Sequence, residues 1–176
     1  MLLIRGGRVI DPVREVDEIM DVMIEGSQIV ETGKALKVPA DAEVIDATGL
    51  VVAPGLMDAH VHFRDPGLTY KEDIETGAAA AARGGFTTVV CMANTKPVVD
   101  NLETLSYVQE KGEQTPIHVL QAAAITKGLQ GKELVDMEAL ADAGAAGFTD
   151  DGIPLMDEKL LVQAMEQAKA LGLPLA

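Results

Sequence analysis

The sequence predicts an α/β protein in which a strand-rich segment is followed by repeated βα units, and three observations carry that reading. The first fifty-odd residues are short runs rich in Val and Ile, separated by turn residues and without a helical apolar period. After Pro54-Gly55 the pattern changes: apolar strand-like runs begin near Leu56, Thr87, Ile117, Ala146 and Leu173, spaced 31, 30, 29 and 27 residues apart. Such spacing is the length of a βα unit. The gaps between these runs carry helix punctuation, with acid at the start and glycine at the end.

Taken in order, Leu2–Asp11, Ile19–Glu25, Gln28–Glu31 and Glu43–Asp46 read as strands, with breaks at Gly6-Gly7, Gly26-Ser27 and Gly33. They suggest a small β-sandwich, or part of one, over residues 1–53. Residues 54–176 form the second domain. Thr69-Tyr70-Lys71-Glu72 has the spacing of a capping box, for a helix ending at Gly84-Gly85. Asp100 with Glu103 marks a second helix start, with its end at Gly112. Glu133–Ala143 is a third helix, stopped by Gly144, and Asp157 opens a fourth, stopped by Gly172. Regular βα units build either a doubly wound sheet or a (β/α)8 barrel, and spacing fits both. Leu173–Ala176 reads as the opening of a fifth strand. A barrel typically needs ~250 residues, so a barrel here would be a fragment truncated in strand five.

Composition narrows the function classes. Fourteen Lys and Arg against 28 Asp and Glu leave a formal charge of −14, which repels nucleic-acid phosphates. No apolar run reaches the ~20 residues of a membrane span, and Met1 to Arg8 lacks the layout of a signal peptide. The single cysteine, Cys91, forms no internal disulfide and fits a reducing compartment. The expectation is a soluble cytoplasmic protein with no membrane and no nucleic-acid partner.

Three segments carry chemistry. His60 and His62 stand two apart on the first strand of the second domain, so both project from one face near its C-terminal end. Paired neutral imidazoles suit zinc. Arg64 follows at the strand's end, before the Asp65-Pro66-Gly67 turn. The next apolar strand ends in Asn94 and Thr95. Asn94 either donates its amide to a substrate carboxylate or carbonyl, or caps its own turn. After the fourth strand stand Asp150 and Asp151, followed by Gly152. Adjacent carboxylates on a strand face opposite sides, so at most one turns inward; an acidic solvated turn is the competing reading. His118 reads as a packed or surface histidine, and Cys91 as a core residue.

Together, Met57-Asp58-Ala59-His60-Val61-His62-Phe63-Arg64-Asp65-Pro66-Gly67, Met92-Ala93-Asn94-Thr95 and Phe148-Thr149-Asp150-Asp151-Gly152 resemble the type I dihydroorotases of the amidohydrolase superfamily. The resemblance implies a metal-dependent (β/α)8 barrel flanked by a small β-sandwich, with this chain holding about the first four to five βα units. It also implies one or two zinc ions per subunit, with His60 and His62 on the more buried metal. Asp151 is the implied bridging ligand, with Asp150 as the neighbour that shares its claim. Arg64 and Asn94 are the residues expected to hold the substrate carboxylate. The implied reaction interconverts N-carbamoyl-L-aspartate and dihydroorotate in pyrimidine biosynthesis. The implied acid/base aspartate lies outside these residues, so the chain alone is expected to be inactive. A homodimer is the expected assembly, with aspartate carbamoyltransferase as a possible partner. Two other readings stand beside it. One is a non-catalytic scaffold for that carbamoyltransferase. The other is a hydantoinase- or allantoinase-type enzyme, a group that bridges its metals with a carboxylated lysine. No lysine occurs between Ala145 and Asp151.

Overall fold

The computed structural model describes residues 1–176. The chain divides into two compact units, Met1–Pro54 and Gly55–Ala176.

The first unit is one five-stranded sheet. Its strands are β1 (Leu2–Asp11), β2 (Val16–Glu25), β3 (Gln28–Gly33), β4 (Glu43–Asp46) and β5 (Val51–Val52). The order is β3-β2-β1-β4, with β5 also on β1. The two hairpin pairs are antiparallel, while β4 and β5 run parallel to β1. The sequence suggested a small β-sandwich or part of one; within this unit there is a single sheet. Leu3, Val22, Met23 and Ala47 are its buried apolar residues, whereas Ile29, Val30, Val44 and Ile45 stay exposed. Gly6-Gly7 is not a strand break but an irregularity inside β1, where the register with β2 slips between Ile4 and Gly7. Gly6 takes φ 68°, and its N–H donates to the buried Asp21 carboxylate at 2.8 Å. Asp21 also accepts the Leu36 N–H at 2.9 Å, so the slipped donor is not left unpaired.

The second unit begins with a parallel sheet of β6 (Leu56–Val61), β7 (Phe86–Cys91) and β8 (His118–Gln121), in that order. The fourth and fifth predicted strands are each reduced to one parallel bridge, Ala123 with Phe148 and Phe148 with Leu175. The backbone explains why. Ala146 donates to Gln121 O and Thr149 to Ala123 O, three steps against two, so one surplus residue interrupts the ladder. On the other side, Phe148 donates to Pro174 O and accepts from Ala176 N. The next donor in phase is residue 174, and proline has no N–H.

The helices are α1 (Ile74–Arg83), α2 (Leu102–Gly112), α3 (Met137–Asp142) and α4 (Glu158–Leu171). Each is capped at its N-terminus by Asp or Asn. Three starts differ from the sequence reading. Asp73, not Thr69, caps α1 and forms the capping box with Thr76. Residues 68–71 are instead held in turns, Leu68 N donating to Arg64 O and Lys71 N to Leu68 O. Asn101 caps α2, while Asp100 accepts the Gly128 N–H at 2.7 Å. The third helix is shorter than expected because Leu134 pairs with Thr126 and Val135 N donates to Ile125 O. The fourth matches at both ends, with Gly172 left-handed at φ 69°.

Phe63, Ile74, Val89, Leu105, Val119 and Phe148 belong to the core that these helices and strands enclose. The small residues of α1 let it approach closely: Ile74, Gly77 and Ala78 form its buried face. A Cβ at Gly77 would lie 2.4 Å from the Phe63 ring. Gly77→Ala therefore opposes two effects. Helix propensity favours alanine by about 1 kcal/mol, while overpacking a core costs about 1–3 kcal/mol. Overpacking wins here because the obstacle is a buried ring, so the variant should melt lower than the parent. A higher melting temperature in a thermal unfolding scan would disprove this packing. Cys91 gives a second expectation. It is buried in the same core, and burial pushes its thiol up to about 12. It should resist a thiol reagent at pH 8 in the folded chain and react once the chain is denatured.

Candidate metal centre

β6 carries the first histidine and leaves its regular ladder halfway. Asp58 pairs with Val89 and Val61 with Cys91, so β6 takes three steps while β7 takes two. The surplus residue is a bulge at Ala59-His60, a device that re-aims side chains beside functional sites. Asp58 steadies it by accepting the His60 N–H at 3.0 Å. His60 and His62 then stand with ring centroids 5.2 Å apart and planes at 69°.

Asp151 arrives from the loop after the Phe148 bridge. Its Oδ1 lies 3.3 Å from His60 Nε2, and its Oδ2 lies 3.5 Å from His62 Nε2. One ligand atom from each of the three residues lies within 4.8 Å of the others. Two imidazole nitrogens and a carboxylate make a donor set that fits a divalent transition cation. His60 is the more open of the two rings, with 54% of its side chain exposed against 26% for His62.

Asn94 ties these ligands together. Its Nδ2 donates to Asp151 Oδ2 at 2.8 Å, and its Oδ1 lies 3.0 Å from His62 Nδ1. An amide oxygen only accepts, so His62 must carry its proton on Nδ1. That tautomer leaves the Nε2 lone pair directed at the cluster. The sequence left Asn94 between a substrate contact and a turn cap, with the resemblance implying the first; in this structure its amide meets two candidate metal ligands.

Asp150 does different work. Its side chain is buried and accepts the N–H groups of Ile125 at 2.8 Å and Thr126 at 3.1 Å, as well as the Thr126 hydroxyl. The two adjacent carboxylates thus face opposite ways, and Asp151 is the one that meets the histidines. Arg64 is half-buried with its backbone left-handed at φ 61°. His118 opens β8 as an exposed residue paired with Thr88, at the N-terminal end of that strand.

A dihydro-orotase-like family model matches residues 49–176. The chain belongs to the dihydroorotase-like family. It is 61% identical over all 176 residues to a dihydroorotase of Clostridioides difficile, and covers 42% of that protein. It is 54% identical over 176 residues to one from Clostridium acetobutylicum, again covering 42%. The chain therefore spans less than half the length of the curated relatives it matches. Among solved structures, it superposes on an L-hydantoinase (dihydropyrimidinase) of Arthrobacter aurescens with a TM-score of 0.84. That pair is 22% identical over 99% of this chain and 39% of the other, a likeness of fold alone. A D-hydantoinase from Thermus sp. superposes at 0.77 with 28% identity and the same coverage.

Sequence reasoning missed one cluster of this dihydroorotase-like chain. Asp65, 3% exposed, accepts the Tyr107 hydroxyl and the Lys111 ammonium, each at 2.8 Å. The hydrogen bond to Asp65, then that to Tyr107, holds the Lys111 ammonium above its ordinary pKa. The available signal was the spacing of Tyr107 and Lys111, four apart on one face of α2.

The opposed carboxylates make a direct test. Asp150→Ala strands two buried backbone donors, each costing about 1–3 kcal/mol, so it should lose about 3 kcal/mol in urea unfolding. Asp151→Ala should change stability by less than about 1 kcal/mol. A reversed order would refute the division of roles.

Proposed function

We propose that His60, His62 and Asp151 are metal ligands of a dihydroorotase, and that the protein carrying this chain interconverts N-carbamoyl-L-aspartate and dihydroorotate. The observation that carries this reading is the convergence of the three side chains, within 4.8 Å, in a member of this family. Zinc, one or two ions per subunit, is the proposed metal, with Asp151 as the shared carboxylate. A divalent cation held there supplies Lewis acidity, lowering the pKa of water and polarising a carbonyl. The chain's own residues supply the rest. Asp58 and Asn94 orient the ligand-bearing backbone and rings. Arg64 grips the substrate carboxylate with a planar, permanently charged fork. Holding the ring by that carboxylate contributes through orientation and moves no proton.

The same proposal includes closure of the βα units into a (β/α)8 barrel and a domain division at residues 53 and 54. It also includes a cytoplasmic homodimer, with aspartate carbamoyltransferase as a partner. A hydantoinase-type bridge is disfavoured because Ala145 to Asp151 contains no lysine to carboxylate.

Two measurements decide the matter. In the active enzyme, Arg64→Ala should lower kcat/KM for dihydroorotate roughly 100-fold, the scale of a lost bidentate charged hydrogen bond. A change within a few-fold would remove the clamp role. His60→Ala with His62→Ala should strip the metal, read by atomic emission on the dialysed protein. Two equivalents of zinc still bound would sink the ligand assignment.

A further inference from the structure

We infer that Asp65, Tyr107 and Lys111 form an anchor that positions Arg64 for the substrate carboxylate, and so set the affinity of the site for carboxylate-bearing rings. The inference rests on the clamp role proposed above for Arg64 and deepens it. Arg64 holds a left-handed backbone at φ 61°, a conformation that a residue with a Cβ keeps only when its surroundings fix it. Its surroundings do so from two sides. On one side, the next side chain, Asp65, is buried and held by both Tyr107 Oη and Lys111 Nζ of α2. On the other, Pro66 O accepts the Lys96 N–H at 3.1 Å, joining the segment to the loop that bears Asn94. Gly67 permits that approach: at φ 84°, an added Cβ would lie 1.7 Å from Lys96 O. Arg64 O also accepts the Leu68 N–H at 2.9 Å, closing the turn.

Of these fixings, the α2 anchor is the one made by side chains distant in sequence, 42 and 46 residues from Asp65. Its members act through Arg64. Lys111 remains partly exposed, with 44% of its side chain open against 1% for Asp65, so it can be replaced without opening the core.

The test uses the metal-loaded, active enzyme with dihydroorotate as substrate. Lys111→Met should raise KM about tenfold or more while kcat stays within threefold, the signature of lost uniform binding. Tyr107→Phe should do the same more weakly, and Lys111→Arg should restore KM towards the parent. Zinc content should not change in any of the three. Equal loss of kcat with unchanged KM, or loss of zinc in step with activity, would reduce the cluster to a general structural role and overturn the inference. Parent-like KM in both Lys111→Met and Tyr107→Phe would overturn it as well. Arg64→Ala is run alongside. If it leaves KM and kcat at parent values, the clamp reading has failed, and that failure is separable from failure of the anchor.

Discussion

Asp150 and Asp151 open a turn closed by Ile153 N donating to Asp150 O, and the candidate metal centre depends on the two carboxylates meeting different partners. Asp150 turns into the protein, where it accepts the N–H groups of Ile125 and Thr126. Those donors have no water to turn to, so the carboxylate that satisfies them is fixed with little freedom. With Asp150 held, the turn carries Asp151 to His60 and His62. The acidic pair therefore has two tasks: the first residue fixes the backbone and the second presents a candidate ligand.

This arrangement marks where the sequence could and could not be read. His60 and His62 were legible because their relation is local: two residues apart, on a strand, near its end. Even so, the path to convergence was hidden. The bulge at Ala59-His60 is a relation between β6 and β7, and no residue of β6 announces it alone. The choice between Asp150 and Asp151 was less legible still, since it is set by backbone donors about 25 residues away. Asn94 carried two readings in the sequence, and its actual partners, His62 and Asp151, lie 32 and 57 residues off.

Helix boundaries follow the same logic. Thr69 with Glu72 and Asp73 with Thr76 both offer capping groups three residues apart, so spacing could not rank them. The turns tied to Arg64 O and Leu68 O decided for Asp73. Glu133–Val135 has helical composition but is taken by pairing with Ile125 and Thr126. In α4, by contrast, Asp157 and Gly172 met no long-range competitor, and the local signals prevailed at both ends. The repeat of about 30 residues located the strands, but not the surplus residue near Gly147 or the missing donor at Pro174 that shortened the last two.

The pairing of buried Asp65 with the half-open Lys111 raises a question of purpose that stability does not answer. Desolvating Asp65 offsets much of the attraction, and solvent screens the open lysine end, so such a pair contributes little net stability. A chain with twice as many acids as bases nonetheless places a lysine and a tyrosine on this one carboxylate. What the cluster does that an apolar contact cannot is fix direction: a carboxylate held by two donors keeps one orientation, whereas packed methyl groups slide. Direction is what a left-handed Arg64 requires, followed as it is by a turn whose glycine sits against Lys96 O. The loops bearing Arg64 and Asn94 are joined through Pro66 O and Lys96 N, so a constraint applied at α2 reaches both. The site's geometry is thus set by buried polar groups acting on loop backbones, with the strands supplying the rigid base from which those loops begin.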